Sequence, residues 1–163
     1  MLSMKKRTKI ILIVIAVLMC MLLIGGIVYA LSMQTNSPGA VSEANGIFME
    51  WVEEPTRENL TFRICNQSDD TIYGGSDYVV EYQFLGDWYQ AVDLDRFWTY
   101  DLALWIIEGH SVHTAMQVNP SLRYDILPPG KCRIVKRFYT VEDFTLYENR
   151  NKYIDLYLEF ELD

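Results

Sequence analysis

The sequence predicts an all-β domain, a two-sheet Greek-key sandwich, preceded by one transmembrane helix. Three observations carry this. The chain opens with a basic tip and an uncharged apolar run. After residue 46 the apolar residues repeat every second position, the period of a strand and not of a helix. About nine such runs follow one another at short spacing, with no long amphipathic helix competing with them.

At 163 residues the chain is long enough for one domain and a short appendage. Residues 1–9 form the basic tip. Lys5, Lys6, Arg7 and Lys9 are four of the 14 basic residues, while none of the 22 acidic ones precedes residue 32. The rest of the chain therefore holds ten basic against 22 acidic residues, a net charge of −12. A surface of that sign repels nucleic acid and anionic lipid, so no nucleic-acid partner is expected.

Residues 10–31 are 22 uncharged positions that rise about 33 Å as a helix, against a hydrocarbon core of about 30 Å. Ile11, Ile13, Ala16, Leu18, Met21, Leu23 and Ile27 leave no polar face, so lipid on all sides is the natural solvent and the bilayer is the expected partner of this segment. With the basic cluster before the span and no further basic residue until Arg57, the positive-inside rule predicts a cytoplasmic N-terminus and an extracytoplasmic domain at the cell membrane. The competing expectation is a leader cleaved near Ala30, after Val28-Tyr29-Ala30, which would release a secreted form. Cys20 reads as a small apolar residue of the span. Residues 32–45, with Ser37-Pro38-Gly39, read as a flexible tether.

Residues 46–163 are the expected domain. Leu60, Phe62 and Ile64 alternate with Thr61, Arg63 and Cys65 ahead of a polar turn at residues 66–70. Tyr78, Val80, Tyr82 and Phe84 face one way, and Val79, Glu81 and Gln83 the other. Gly86-Asp87 then reverses the chain into residues 88–92, a predicted hairpin. A second hairpin is expected from residues 102–107 and 111–118 around Glu108-Gly109-His110, with Gly109 supplying positive φ. The last strand is regular: Ile154, Leu156, Leu158, Phe160 and Leu162 face the core, opposite Asp155, Tyr157, Glu159 and Glu161. Residues 119–124 have room for one helical turn. One-sided strands need a second sheet over their apolar faces, which makes the sandwich the economical answer.

Several motifs stand in a familiar order: Asn66-Gln67-Ser68, Tyr73-Gly74, Phe84-Leu85-Gly86-Asp87-Trp88-Tyr89, then Tyr124 and Leu127-Pro128-Pro129-Gly130-Lys131-Cys132-Arg133-Ile134-Val135-Lys136, and the closing Tyr157-Leu158-Glu159-Phe160-Glu161-Leu162. From about Asn66 to Asp163 the chain resembles a family of bacterial Ig-like domains of secreted and membrane-anchored proteins. The resemblance implies an immunoglobulin-like Greek-key β-sandwich in the bacterial envelope and no particular activity. Cys132 stands where the family usually has Tyr, which bears on the corner hydrogen bond such a Tyr makes.

Cys65 and Cys132 fall roughly where antibody-type domains place an inter-sheet disulfide, with Trp88 between them in sequence. Strand parity turns Cys65 outward and Cys132 inward, so they pair only if a bulge re-aims Cys65. His110 and His113, three apart on an extended chain, point to opposite faces and do not make a zinc pair. No Gly-x-Ser-x-Gly elbow is present, and Asp69-Asp70 and Asp93 with Asp95 sit in turn-like segments as solvated acids. No enzymatic activity, catalytic residue, metal or cofactor is expected.

Four Trp and ten Tyr follow the apolar run, most of them expected in the core and in cross-strand pairs. The candidate binding surface is Phe97, Trp98 and Tyr100, apparently outside any strand, with the outward stripe of Tyr153 and Tyr157 beside Asp155 and Glu159. Such a surface would dock an envelope protein or peptide, or alternatively stack on cell-wall glycan.

Overall fold

A computed structural model describes residues 4–32, 37, 39–92, 104–124, 127–140 and 153–163. The chain divides into two units, Met1–Gln34 and Thr35–Asp163. The first holds α1, Met4–Ser32, a 29-residue helix. Its stretch Lys9–Tyr29 has mean hydropathy 3.2 and no buried residue, and is long and apolar enough to cross a membrane. A helix that is apolar all round has no face suited to water.

The second unit is a two-sheet sandwich. In the first sheet lie β1 (Glu43–Ala44), β2 (Ile47–Trp51), β3 (Leu60–Asn66), β8 (Ser111–Val112) and β9 (Met116–Val118), with β3 paired to β2 on one side and to both β8 and β9 on the other. In the second lie β4 (Ile72–Gly74), β5 (Val79–Phe84), β6 (Asp87–Gln90), β7 (Trp105–Ile107), β10 (Gly130–Thr140) and β11 (Ile154–Leu162). Strand β10 organises this sheet. Along one edge it pairs with β11 from Gly130↔Leu162 to Phe138↔Ile154. Along the other it pairs first with β5 and then with β4. Pro120–Leu122 form a single 3-10 turn, capped by the Asn119 side chain.

Period-two alternation fills the space between the sheets. Ile47 and Met49 of β2, Leu60, Phe62 and Ile64 of β3, and Cys132, Ile134 and Phe138 of β10 are all buried in one core with Leu156, Phe160 and Leu162 of β11. Trp51 sits at one end of it, its ring edge-on to Phe62 and Phe160 and its Nε1 donating to Glu159 O across the sandwich at 2.9 Å.

The expected second hairpin is not one. Strand β7 pairs with β4 in the second sheet, whereas β8 pairs with β3 in the first, so Glu108-Gly109-His110 carries the chain across from sheet to sheet. The reason for Gly109 also differs from the expectation. Positive φ falls on His110, at 54°. At Gly109 a Cβ would meet the carbonyl oxygens of Ser68 and Asp69, both at 2.7 Å, so only glycine lets these loops touch.

Asn66 holds this crossing together. It is 1 % exposed. Its Nδ2 donates to the carbonyls of Asp70 at 2.7 Å, Glu108 at 3.1 Å and Ile107 at 3.2 Å. Its Oδ1 accepts from the Ser68 amide at 3.1 Å and the Ser68 hydroxyl at 2.6 Å. Thus one side chain satisfies backbone groups of both loops at the point where the sheets join.

The domain begins before the expected boundary. At the far end of the expected tether, Val41 donates to Asp155 O and accepts from the Tyr157 amide, both at 2.9 Å, and Glu43–Ala44 pair with β2 through the turn Asn45-Gly46. That turn has φ of 52° and 79°, the two-residue geometry for which Asn-Gly is the favoured pair. The β5–β6 hairpin turns on Leu85-Gly86, one residue before the expected Gly86-Asp87, with φ of 53° and 96°. Leucine there costs about 1 kcal/mol that Asn or Gly avoids.

Lys136 is a charged exception to the alternation. It shares the inward face of β10 with Ile134 and Phe138 and is 1 % exposed. Its Nζ donates to the carbonyls of Gly75 at 2.6 Å and Asp77 at 2.8 Å and lies 4.4 Å from the Trp105 ring centre. Burial pushes the ammonium down to about 8 from its usual 10.5, against the opposing pull of Asp77.

Two predictions follow from these contacts. Replacing Asn66 with Ala strands several buried backbone groups, so urea unfolding should show a loss of about 2–4 kcal/mol. For Lys136, both folded and unfolded chains carry the proton below about pH 8, and the fold bears the full cost of the buried charge. Between about pH 8 and 10.5 the folded protein sheds the proton first, so stability from this residue rises with pH, by an amount on the order of 3 kcal/mol. Unfolding curves of the natural protein and of Lys136→Met across that window should diverge accordingly; a constant difference would contradict the assignment.

Candidate functional site

The outward residues of the second sheet form the first candidate. Register places Glu81 of β5 opposite Arg133 of β10, and Arg137 of β10 opposite Asp155 of β11. Arg133 Nε donates to Glu81 Oε2 at 2.6 Å, and both side chains are buried although they face away from the core. The Arg133 guanidinium lies 4.3 Å from the Trp88 ring centre and 5.1 Å from that of Tyr157. Two aromatic rings thereby shield an ion pair that a bare sheet would leave wet.

The next rung repeats the device. Arg137 makes a two-pronged contact to Asp155, Nε to Oδ1 at 2.7 Å and Nη2 to Oδ2 at 2.8 Å, and its guanidinium stands 3.4 Å over the Tyr153 ring. The Asp155 carboxylate raises the already high pKa of Arg137 further. Both cations are neutralised by fixed carboxylates.

Tyr153 and Tyr157, expected as outward aromatics, lie on this face; Tyr153 is 43 % exposed. Each has an Arg guanidinium against its ring. Phe97, Trp98 and Tyr100 fall outside the described residues. The sequence reading missed Arg133, Arg137, Glu81 and Trp88. An outward Lys131, Arg133, Val135, Arg137 set on one strand and an outward acid on another were visible, but only the register pairs them.

A second candidate is a groove of about 400 Å³ on the outer face of the first sheet, lined by Phe48, Glu50, Cys65, His110 and Val112 among others. Cys65 faces outward, as parity predicted, yet it is buried, with its Sγ 3.2 Å from Glu50 Oε1. Glu50 also pairs with Arg63, which holds its carboxyl below the usual range. Burial first, and the Glu50 carboxylate second, push the Cys65 thiol up to about 11. At neutral pH such a thiol is protonated.

Cys132 lies in the core, its thiol pushed up to about 11 by burial. Cys65 and Cys132 are free thiols on opposite faces of their sheets, so the disulfide considered from sequence is not formed. The buried Tyr124 hydroxyl accepts from the Val80 amide at 3.2 Å and so ties the segment before β10 to β5. His110 contacts Asp69 at 2.8 Å, whereas His113 stacks on Trp105 with ring centres 4.9 Å apart. Among the described residues no group of three His, Cys, Asp or Glu is placed to hold a metal ion.

These arrangements hold strands together and offer surfaces. A family model described as a bacterial Ig-like domain matches residues 45–151. No curated protein matches the chain. Among solved structures, the chain is similar to the ASH / PapD-like domain of human CEP192 (PapD-like domain 7), at 10 % identity over 73 % of this chain and 83 % of that one, with a TM-score of 0.32.

The buried pair yields a prediction. Glu81→Gln leaves Arg133 without its charge partner and should cost about 3–5 kcal/mol in chemical unfolding, whereas replacing both residues by Met should recover much of that loss. Equal losses for the single and the double variant would contradict the pairing.

Proposed function

The chain belongs to the bacterial Ig-like domain family, and from that premise we propose that it is a membrane-anchored, extracytoplasmic interaction module with no enzymatic activity of its own. The observation that carries the reading is the pairing of an Ig-like domain with the apolar helix Lys9–Tyr29, behind a basic tip. The charge order supports an outward-facing domain, because the positive flank stays on the cytoplasmic side.

A protein or peptide partner is favoured over cell-wall glycan by the state of the aromatic rings. Sugar stacking needs open ring faces, and Trp88, Tyr157 and Tyr153 each have an Arg guanidinium against one face. The buried, protonated thiols support a binding role and not a reactive one.

The test is protease treatment of intact cells, mass analysis of the N-terminus, and co-purification of the membrane form with its neighbours after cross-linking. The expected result is a membrane-held protein that retains residues 1–31, is cut from outside, and brings down a protein partner. A mature form beginning after Ala30 would overturn the anchor, and digestion only in inverted vesicles would overturn the address. Retention on purified wall material, lost in Trp98→Ala, would move the function to glycan.

A further inference from the structure

We propose that the projecting end of the β5–β6 hairpin, Phe84 and Leu85 backed by Tyr89, is the surface on which this module takes its partner, and that the partner presents a cationic apolar polypeptide segment. The inference rests on the interaction reading above and names its site and chemistry.

Pairing of β5 with β10 ends at Tyr82↔Cys132, and the hairpin runs on beyond it. Phe84 is 57 % exposed and Leu85 87 % exposed. Apolar groups so placed gain nothing from the core. Leu85 also occupies a left-handed position, at φ 53°, where the other two-residue turn of this domain uses Asn45 at φ 52°. The fold has a favoured residue for this geometry and uses it in the first turn. At the second it carries a strained leucine, 87 % exposed, that no contact among the described residues repays, which points outside the molecule.

The tip is also stiffened for contact. Phe84 stands edge-on to Tyr89 with centres 6.3 Å apart, and Tyr89 stacks on Tyr82 at 5.9 Å. A rigid aromatic base lowers the ordering cost of binding. Because Tyr82 and Tyr89 spend ring faces on each other, the tip is a wedge and not a sugar platform.

Charge selects the partner. Arg57 bonds the carbonyls of Leu127 and Asp163, and Gly130 pairs with Leu162, so these segments share the end from which the hairpin projects. Among the described residues, the exposed charged side chains of these segments and of the hairpin include Glu53, Glu54, Glu58, Asp87 and Glu161, against Lys131 and the already engaged Arg57. An acidic end of the sandwich beside an apolar wedge complements Lys or Arg next to apolar side chains, and it repels an anionic lipid surface.

The test uses the full chain in zwitterionic phosphatidylcholine nanodiscs and, as probe, a labelled amphipathic Leu–Lys peptide beside its Leu–Glu counterpart. The Leu–Lys peptide should bind and the Leu–Glu peptide should not. Phe84→Ser with Leu85→Gly should weaken binding at least about tenfold, while Leu85→Gly alone raises the Tm, which separates lost contact from lost fold. Unchanged affinity in the double variant, or equal binding of the two peptides, would overturn the proposal. So would attachment to phosphatidylglycerol vesicles that the same substitutions abolish, since the tip would then serve lipid. If the double variant still co-purifies with the cellular partner, the tip assignment falls and the interaction reading stands.

Discussion

Two sheets packed face to face need a place where the chain leaves one and joins the other without stranding its backbone polar groups in the interior. In this domain the place is the bottom of β3, and the constraint is met by Asn66. Its amide bonds the turn after β3 and the crossing after β7 together from a buried position. The Gly109 backbone closes against Ser68 and Asp69 because no Cβ intervenes, and the His110 amide donates to Ser68 O at 3.1 Å. With this junction fixed, β7 is delivered to β4 and β8 to β3, and the core between them has its walls.

The same economy explains the charged groups that the domain buries. Lys136 on the inward face is acceptable because its three N–H donors find two carbonyls and an aromatic ring. Arg133 and Glu81 are acceptable on the outward face because each neutralises the other under Trp88 and Tyr157. Among the described residues no buried side-chain nitrogen or oxygen lacks a partner. Such satisfaction favours one rigid arrangement.

Those surfaces differ in kind. The outward face of the second sheet commits Arg133 to Glu81, Arg137 to Asp155, and the rings of Trp88, Tyr153 and Tyr157 to these guanidinium groups. The groove of the first sheet holds a protonated thiol beside an ion pair. The β5–β6 tip keeps Phe84 and Leu85 exposed. A partner gains most where the domain has not already satisfied its own groups.

Much of the architecture was legible in the sequence because it depends on local periodicity. The uncharged run of residues 10–31, the alternation of β3, β5 and β11, the outward Cys65 and the helical turn near Pro120 all follow from which residues neighbour one another along the chain. Binding residues were less legible. Tyr153 and Tyr157 could be named as outward, but their engagement by Arg137 and Arg133 could not, since it needs the register of three strands. What the sequence by itself determined was the class of each segment, because solvent sorts side chains with a period of two or with none at all. Only the tertiary structure decided that residues 105–107 and 111–112 part to different sheets, that Lys136 faces inward, and that Glu81 meets Arg133. These depend on pairings between residues tens of positions apart, which no local pattern encodes.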